Sequence, residues 1–132
     1  MNYLLDTHAC IWAIADQEKL SSRVKELLLN SENSFFVSKI SFFEISIKLK
    51  VGKLKDFNVS LASFIDAVYL SGYETLAVKD DHLKLYPNID FDDNHRDPFD
   101  RYLIATAHFE NLAIITKDEK FSLYENRYPI IW

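Results

Sequence analysis

The sequence predicts an α/β fold: a three-layer α/β/α sandwich around a mostly parallel central sheet of four to five strands. Two observations lead to this prediction. Short apolar runs have the length of buried strands, and segments with helical spacing and helix-capping residues lie between them. Because strands that alternate with helices favour a parallel sheet, we expect helices to cover both of its faces.

The predicted strands are short apolar runs without Gly or Pro at their centres. Four of them are Tyr3–Leu5, Phe35–Val37, Thr75–Val78 and Ala113–Thr116, and Pro129–Trp132 is a fifth candidate. Runs of this length are too short for independent helices and fit strands that are buried on both faces.

The predicted helices are recognised mainly by their first residues. Ser41 and Glu44 have the spacing of a capping box, which predicts a helix that ends near Gly52. The dipeptide Asp97–Pro98 is a strong helix start, because Pro is tolerated at the first helical position. The other predicted caps are Ser21 or Ser22, before a helix through Leu29, and Ser60.

Composition predicts one domain that spans residues 1–132. The chain is 48% hydrophobic and has only two Gly and three Pro, so it can form a sizeable core without a flexible linker. The first residues, MNYLLDTHA, do not resemble a signal peptide, and no apolar run is long enough for a membrane span. A single cysteine, Cys10, excludes an internal disulfide and fits a reducing compartment, so we expect a cytoplasmic protein.

The net charge of −5 argues against broad electrostatic binding of nucleic acid, which favours basic surfaces. This objection weakens if several of the carboxylates are clustered on bound cations, because a metal ion changes the charge that a phosphate meets.

Two acids are placed by the predicted sheet. Asp6 directly follows the first strand, and Asp118 comes two residues after the fourth. In open parallel sheets, ligands bind beyond the carboxyl ends of the strands. We therefore expect these two carboxylates to meet at one edge of the sheet, although Asp6 alone also fits an ordinary turn residue.

Three further acids lie near predicted helix starts. Asp97 and Asp100 open one helix and Glu44 lies in the first turn of another, where the helix dipole favours negative charge. Asp97 by itself fits a helix cap, and Glu44 by itself fits half of the capping box. A functional role for these acids requires that all of them converge at one cleft.

Carboxylates that converge repel one another unless cations hold them together. Oxygen ligands alone suit Mg²⁺ or Mn²⁺, and the sequence contains no zinc motif. Such a cation lowers the pKa of water and neutralises a phosphodiester under attack. His8, His82 and His108 are interpreted as structural or surface residues, whereas His95 directly precedes the acidic helix start and is a candidate contact of the cleft.

Basic residues near the acids are candidates for contacts with phosphate. Four lysines fall within residues 48–55, where they fit either a solvated helix end or a phosphate-binding edge. Arg96, Arg101 and Lys117 flank the proposed acids. A calcium loop from Asp90 fails, because its sixth position is His95 instead of Gly, and two glycines cannot supply a dinucleotide or P-loop motif.

Four segments in order resemble the PIN-domain ribonucleases, and among them the VapC-like toxins of type II toxin–antitoxin systems. They are LLDTHACIWAI, VSKISFFEISIKLKVGKL, HRDPFDRYLIATA and IITKDEKFSLY, and YPIIW is similar to the closing strand. The likeness runs from residue 3 to about residue 124. It implies a PIN-like α/β/α fold, Mg²⁺- or Mn²⁺-dependent cleavage of RNA, a homodimer and neutralisation by a cognate antitoxin.

The resemblance also assigns roles to individual residues. Asp6, Asp100 and Asp118 match metal ligands, and Glu44 matches a catalytic glutamate at the edge of the metal shell. Thr116 matches a polar residue that supports the site, and the family's acid aligns better with Asp100 than with Asp97. One departure is Phe43, where this branch more often has Trp, and we expect that position to pack.

Two rival functions remain from the sequence. A receiver-type phospho-acceptor domain is also a single α/β domain with acids at strand ends, but it needs a lone Asp after the third strand, where this chain has Val78 and Lys79. The other rival is a catalytically silent PIN-fold binding module, against which the complete set of acids argues.

Overall fold

The computed structural model describes residues 1–132 and has a five-stranded parallel sheet at its centre. The strand order is β3-β2-β1-β4-β5, and every neighbouring pair is parallel. The strands are β1 (Asn2–Leu5), β2 (Ser34–Ser38), β3 (Glu74–Leu76), β4 (Ala113–Ile115) and β5 (Ile130–Ile131). All five predicted strands are confirmed, and their ends shift by one or two residues.

Six α-helices cover the two faces of the sheet. They are α1 (Thr7–Ala15), α2 (Ser22–Leu29), α3 (Lys39–Lys50), α4 (Leu61–Leu70), α5 (Asp80–Leu85) and α6 (Pro98–Glu110). Short 3-10 helices add Gln17–Lys19, Tyr86–Asn88 and Glu119–Tyr124. Helix α5 was not expected from the sequence, since its six residues are too few for a clear periodic pattern.

The alternation of side chains along the strands separates two hydrophobic cores. Tyr3 and Leu5 of β1 point into a core that is shared with α1, α2, α3 and α4. Leu4 points into the opposite core, which α6 and the 3-10 helix 119–124 close. Successive residues of a strand face opposite sides of the sheet, so one apolar run serves both cores. This arrangement confirms the predicted α/β/α layering.

The caps explain where most helices begin, and they correct one prediction. Ser21, Ser60 and Asp97 accept hydrogen bonds from first-turn N–H groups of α2, α4 and α6, as predicted. The capping box of Ser41 and Glu44 is wrong. Helix α3 begins three residues earlier, and Ser38 is its cap, so both residues lie inside the helix.

The end of α3 is a Schellman turn, in which the Lys53 N–H donates to the carbonyl of Lys48 and the Gly52 N–H donates to Leu49. Gly52 has φ +72°, a left-handed conformation that a residue without Cβ adopts at no steric cost. The turn confirms the predicted stop and sends the chain back along the side of the molecule. None of the helices has both the length and the apolar character that crossing a bilayer requires.

Candidate active site

A cavity of about 530 Å³ opens at the carboxyl edge of the sheet, where β1 and β4 end. All four acids that were predicted as catalytic line this cavity, together with Asp97 and Glu119. The other lining residues are Thr7, His8, Trp12, Lys48 and Lys117. The parallel sheet and the starts of its helices therefore bring together groups from residue 6 to residue 119.

Asp6 lies at the centre of the site because it ends β1 and caps α1. Its Oδ1 accepts a hydrogen bond of 2.7 Å from the Ala9 N–H, the geometry of an N-cap. Its Oδ2 accepts a 2.5 Å hydrogen bond from the Thr116 hydroxyl. The carboxyl is only 6% exposed, so the fold fixes its position before any ligand binds.

Thr116 links the first and last acids of the site. Besides donating to Asp6, its Oγ1 accepts a 3.0 Å hydrogen bond from the Asp118 N–H. Asp118 then caps the following 3-10 helix by accepting from the Lys120 N–H. The supporting position of Thr116, which only the family resemblance implied, thus lies directly between the two acids.

Glu44 reaches the cavity from the second turn of α3 and not from its first turn, as the capping box had implied. Its Oε1 accepts a 2.7 Å hydrogen bond from Thr7, and its Oε2 forms a 2.7 Å ion pair with Lys48. Thr7 is also 3.0 Å from the Ser41 hydroxyl. Glu44 and Ser41 both contact Thr7 of α1. The two residues of the predicted capping box therefore form a contact between α3 and α1.

Asp97 and Asp100 differ in their contacts, and the sequence left open which of them caps α6 and which belongs to the site. Asp97 accepts hydrogen bonds from the Phe99 and Asp100 N–H groups and is the N-cap of α6. Asp100 directs its Oδ2 to Nε2 of His95 at 2.9 Å. Both carboxyls line the cavity, so capping does not exclude Asp97 from the site.

His95 is fully buried beside the acids, which agrees with its expected place near the cleft. Its ring packs against Phe121 and Tyr124, and its Nδ1 has no hydrogen-bond partner. A buried N–H without a partner is costly, whereas a lone pair without a partner costs less. This favours the tautomer in which Nε2 carries the hydrogen and donates to Asp100.

Burial and mutual repulsion perturb two of the acids. Burial raises the pKa of Asp6 to about 7, and the charges of Asp100 and Glu44 add to the shift. Burial, together with the smaller effects of the charges of Asp97, Glu44 and Asp118, raises the pKa of Asp100 to about 7. The main cause of both shifts is burial, and the charges of the neighbouring carboxylates add to it.

The donor groups fit a hard divalent cation. Carboxylate oxygens from Asp6, Asp100 and Asp118 share one cavity, and oxygen ligands are those that Mg²⁺ and Mn²⁺ prefer. Carboxylate oxygens of Asp100 and Asp118 lie within 4.8 Å of each other, and the His95 ring that donates to Asp100 lies beside them. A cation among these groups would relieve the repulsion that raises the pKa values of Asp6 and Asp100.

The flanking basic residues are less free than the sequence suggested. Arg101 donates from Nε to the carbonyl of His95 and from Nη2 to that of Asp92, which anchors the acidic connection before α6. Arg96 donates to the carbonyl of Asp93. Neither arginine lines the cavity, whereas Lys48 and Lys117 do. Two neighbours that sequence reasoning missed are His8 and Trp12, which lie on the exposed side of α1 with no motif to mark them.

A family model described as PIN domain matches residues 3–126. The chain belongs to the PIN domain family. The resemblance that the four sequence segments suggested is thereby confirmed, and the family match favours the acidic cavity over a receiver-type phospho-acceptor site. A search of curated proteins finds no significant match.

Solved structures that share the fold of this PIN domain include several VapBC complexes. VapBC2 from Rickettsia felis, bound to a DNA fragment from its promoter, has a TM-score of 0.64 and 21% identity, covering 98% of this chain and 97% of that chain. VapBC-5 from Mycobacterium tuberculosis has a TM-score of 0.63 and 18% identity, with the same coverage. VapBC-1 from nontypeable Haemophilus influenzae has a TM-score of 0.60 and 18% identity, covering 98% and 96%.

Proposed function

We propose that this PIN domain, as a single domain of residues 1–132, is a Mg²⁺- or Mn²⁺-dependent endoribonuclease. The observation that carries the proposal is the convergence of Asp6, Glu44, Asp100 and Asp118 on one cavity, where the pKa values of Asp6 and Asp100 rise to about 7. Strongly perturbed acids in a cleft are characteristic of functional sites. In this protein, a bound cation would balance the negative charge of these carboxylates.

Asp6, Asp100 and Asp118 are the proposed ligands of one or two cations. When bound, such a cation supplies a Lewis acid that neutralises the scissile phosphate and lowers the pKa of water. Thr116 holds Asp6 and the backbone of Asp118 in register, and His95 holds Asp100. Because these contacts exist before the cation arrives, the ligands do not have to be ordered on binding.

The remaining residues of the cavity have roles in substrate binding. Both oxygens of Glu44 already have partners, so we propose that it holds Lys48 and orients the attacking water from the edge of the metal shell. Lys48 and Lys117 supply positive charge to the RNA backbone at the rim. The cavity thus combines acids, which suit a cation, with two lysines, which suit a phosphodiester.

We further propose that the protein is the toxin of a toxin–antitoxin pair. The structural neighbours are toxin–antitoxin complexes, which supports a cognate antitoxin as partner. An antitoxin segment that places an arginine among the acids would neutralise them and block the cation. The single buried Cys10 fits a reducing compartment, in accordance with a cytoplasmic toxin.

An exposed apolar surface supports a homodimer. It consists of Phe43 on α3 together with the residues of an apolar hollow, namely Ile40, Leu83, Tyr86, Pro98, Phe99 and Tyr102. Phe43 is 57% exposed, and its ring lies edge-on to Phe99 with ring centroids 6.0 Å apart. The expectation that Phe43 packs is therefore wrong within one chain. A second copy would cover it, since large apolar patches mark interfaces.

The decisive experiment measures cleavage of RNA by purified protein with Mg²⁺, with Mn²⁺ and with EDTA. We expect cleavage with either cation and none with EDTA, and loss of cleavage in Asp6→Asn and in Asp100→Asn. Equal activity in the wild type and both variants would contradict the proposal. A protein that binds the antitoxin but neither cation nor RNA would be the silent binding module instead.

A further inference from the structure

A second cavity of about 510 Å³ lies directly beside the acidic one. Its walls come from α1 and from the segment 53–59, which connects α3 to α4. His8 and Trp12 line both cavities, so the two adjoin each other at these residues. We call the second cavity the lysine groove, after Lys19, Lys53 and Lys55 in its wall.

The local structure explains why these lysines face the groove. The Schellman turn at Gly52 reverses the chain after α3 and fixes the backbone of Lys53. Leu54 and Phe57 then pack against the hydrophobic core, which anchors the segment. Lys53 and Lys55 stay exposed on either side of Leu54. The lysine-rich stretch predicted from the sequence is thus divided: Lys48 pairs with Glu44, Lys53 and Lys55 line the groove, and Lys50 lines neither cavity.

The charges of the groove are only partly balanced. Lys19 pairs with Asp16 at 3.6 Å. Lys53 and Lys55 form no ion pair, and Asp56 is the one further acid in the wall. Lys117 also forms no ion pair, and its Nζ lies 5.8 Å from the centre of the Trp12 ring at the junction. In a chain of net charge −5, this is a local surplus of positive charge beside the acids.

We infer that the lysine groove binds the sugar–phosphate backbone of single-stranded RNA on one side of the scissile phosphate. The inference rests on the proposed ribonuclease function. Sites for single strands combine cationic groups along the backbone with aromatic surfaces for the bases. The groove supplies Lys53 and Lys55 for phosphates, and half-buried Trp12 supplies an aromatic surface where the strand enters the acidic cavity.

RNA is assigned to the groove because the groove adjoins the acidic cavity at His8 and Trp12. An RNA chain that lies across the acids must continue beyond the reacting phosphate. The lysine groove opens at that point, and it offers the positive charge that the acidic cavity lacks without a cation. Without metal, the acidic cavity repels phosphate, so any attraction of RNA should then come from the groove.

The test compares Lys53→Gln/Lys55→Gln with Lys39→Gln/Lys50→Gln. The control pair removes the same charge from exposed lysines of α3 that form no ion pair and line neither cavity. Fluorescence anisotropy of labelled single-stranded RNAs of about 12 and about 4 nucleotides is measured in EDTA over a range of salt. Cleavage of the same RNAs is measured separately with Mn²⁺.

We expect the groove variant to bind the longer RNA about tenfold more weakly than the control does. The slope of log affinity against log salt should fall by about 1.4, since each single-strand phosphate contact contributes about 0.7. The longer RNA should also lose more affinity than the shorter one, because only the longer chain fills both cavities.

Three results would overturn the inference: equal RNA binding by both variants, no RNA binding by the wild type in EDTA, or loss of antitoxin binding by the groove variant while RNA binding persists. The last would assign the groove to the antitoxin. If the groove variant binds the longer RNA poorly but the wild type cleaves no RNA, the proposed function fails, and only the binding of RNA by the groove is supported. If the wild type cleaves RNA and the variant binds it normally, the groove inference alone fails.

Discussion

The hydroxyl of Thr116 donates a 2.5 Å hydrogen bond to Oδ2 of Asp6, across 110 residues of sequence and two adjacent strands. This bond lowers the pKa of Asp6 and so opposes the burial that raises it. It is the contact by which the fold keeps a buried carboxyl closer to its ionised form.

Thr116→Val should weaken metal binding without a comparable loss of stability. Valine keeps the shape of threonine but can neither donate to Asp6 nor accept from the Asp118 N–H, so the pKa of Asp6 should rise further and Asp118 loses a contact that holds its backbone. A hydrogen bond to a charged group contributes about 1.5–3 kcal/mol, which predicts roughly 10- to 100-fold weaker Mn²⁺ binding at neutral pH. Calorimetric titration across pH measures it, and the loss should shrink as the pH is raised.

Thr106→Val is the matched control for Thr116→Val. Thr106 is equally buried, but its hydroxyl donates to the carbonyl of Tyr102 within α6, away from the acids. We expect Mn²⁺ binding close to that of the wild type in this variant, and restored binding in Thr116→Ser. Wild-type affinity in Thr116→Val at every pH would show that the bond does not affect the site.

The metal-free protein should become less stable as pH rises from about 4 to about 7. The pKa values of Asp6 and Asp100, about 7 each, lie above their ordinary value of 3.8. The folded protein therefore holds protons that the unfolded chain has released. The contribution to the free energy of unfolding is complete below about pH 4 and is lost by about pH 7, on the order of a few kcal/mol.

Asp100→Asn isolates this effect, because it removes one of the two ionisations. In urea denaturation with EDTA, we expect the variant to gain stability relative to the wild type between pH 5 and pH 8, while it loses RNA cleavage. Asp66→Asn, at an exposed position outside both cavities, is the control and should show no such trend. A constant difference between Asp100→Asn and the wild type across pH would contradict the linkage.

Glu44→Gln should reduce metal affinity less than Asp100→Asn does. We expect the dissociation constants of the two variants to differ by at least about tenfold. Both oxygens of Glu44 are engaged by Thr7 and Lys48, whereas Asp100 has His95 as its one side-chain partner. Titration with Mn²⁺ separates the two, and RNA cleavage should still fall in Glu44→Gln because Lys48 loses its anchor. Equal losses of metal affinity would make Glu44 a direct ligand.

His95→Gln should retain more metal affinity than His95→Leu. The amide nitrogen of Gln can take the place of Nε2 and donate to Asp100, whereas Leu fills the space against Phe121 and donates nothing. We expect about tenfold weaker Mn²⁺ binding in His95→Leu and an intermediate value in His95→Gln. If the two variants bind Mn²⁺ equally, the ring matters only for packing.

Phe43→Glu should convert the proposed dimer to a monomer while the fold is kept. Phe43 is 57% exposed in the single chain, so the substitution leaves no cavity, but a charge there opposes burial against a second copy. Light scattering after gel filtration gives the mass. Leu29→Glu, at an exposed residue of α2 on a different face, is the control and should leave the mass unchanged. A monomeric wild type would contradict the proposal.

The two kinds of feature that the sequence predicted well have local causes. Apolar runs gave all five strands, and Ser or Asp before a helical pattern gave the starts of α2, α4 and α6. Helix α3 was the exception. Ser41 and Glu44 satisfy the capping pattern, yet the residue that caps α3 is Ser38, whose side chain accepts a hydrogen bond from the Ile40 N–H. Spacing alone could not choose between Ser38 and Ser41 as the cap.

The basic residues near the acids also show how far spacing along the sequence predicts contacts. Arg101 stands beside Asp100 in sequence, but its guanidinium is held by the carbonyls of His95 and Asp92. Lys48, in contrast, lies one helical turn after Glu44 in α3, and the i,i+4 spacing accounts for their ion pair. Spacing therefore records neighbours within one helix, whereas the partners of Arg101 lie in the connection before α6 and depend on how that connection folds.

Local sequence patterns predict the alternation of strands and helices and the acids at the ends of β1 and β4, and thereby the edge of the sheet where these acids meet. In the parallel sheet, Asp6 lies beside Thr116 and Asp118. The packing of the helices, in contrast, brings Glu44 and Asp100 to the same cavity and places Lys53 and Lys55 in the groove beside it. Those positions are set by the packing of helices on the two cores, where the burial of apolar side chains fixes each helix and carries its polar residues to the site.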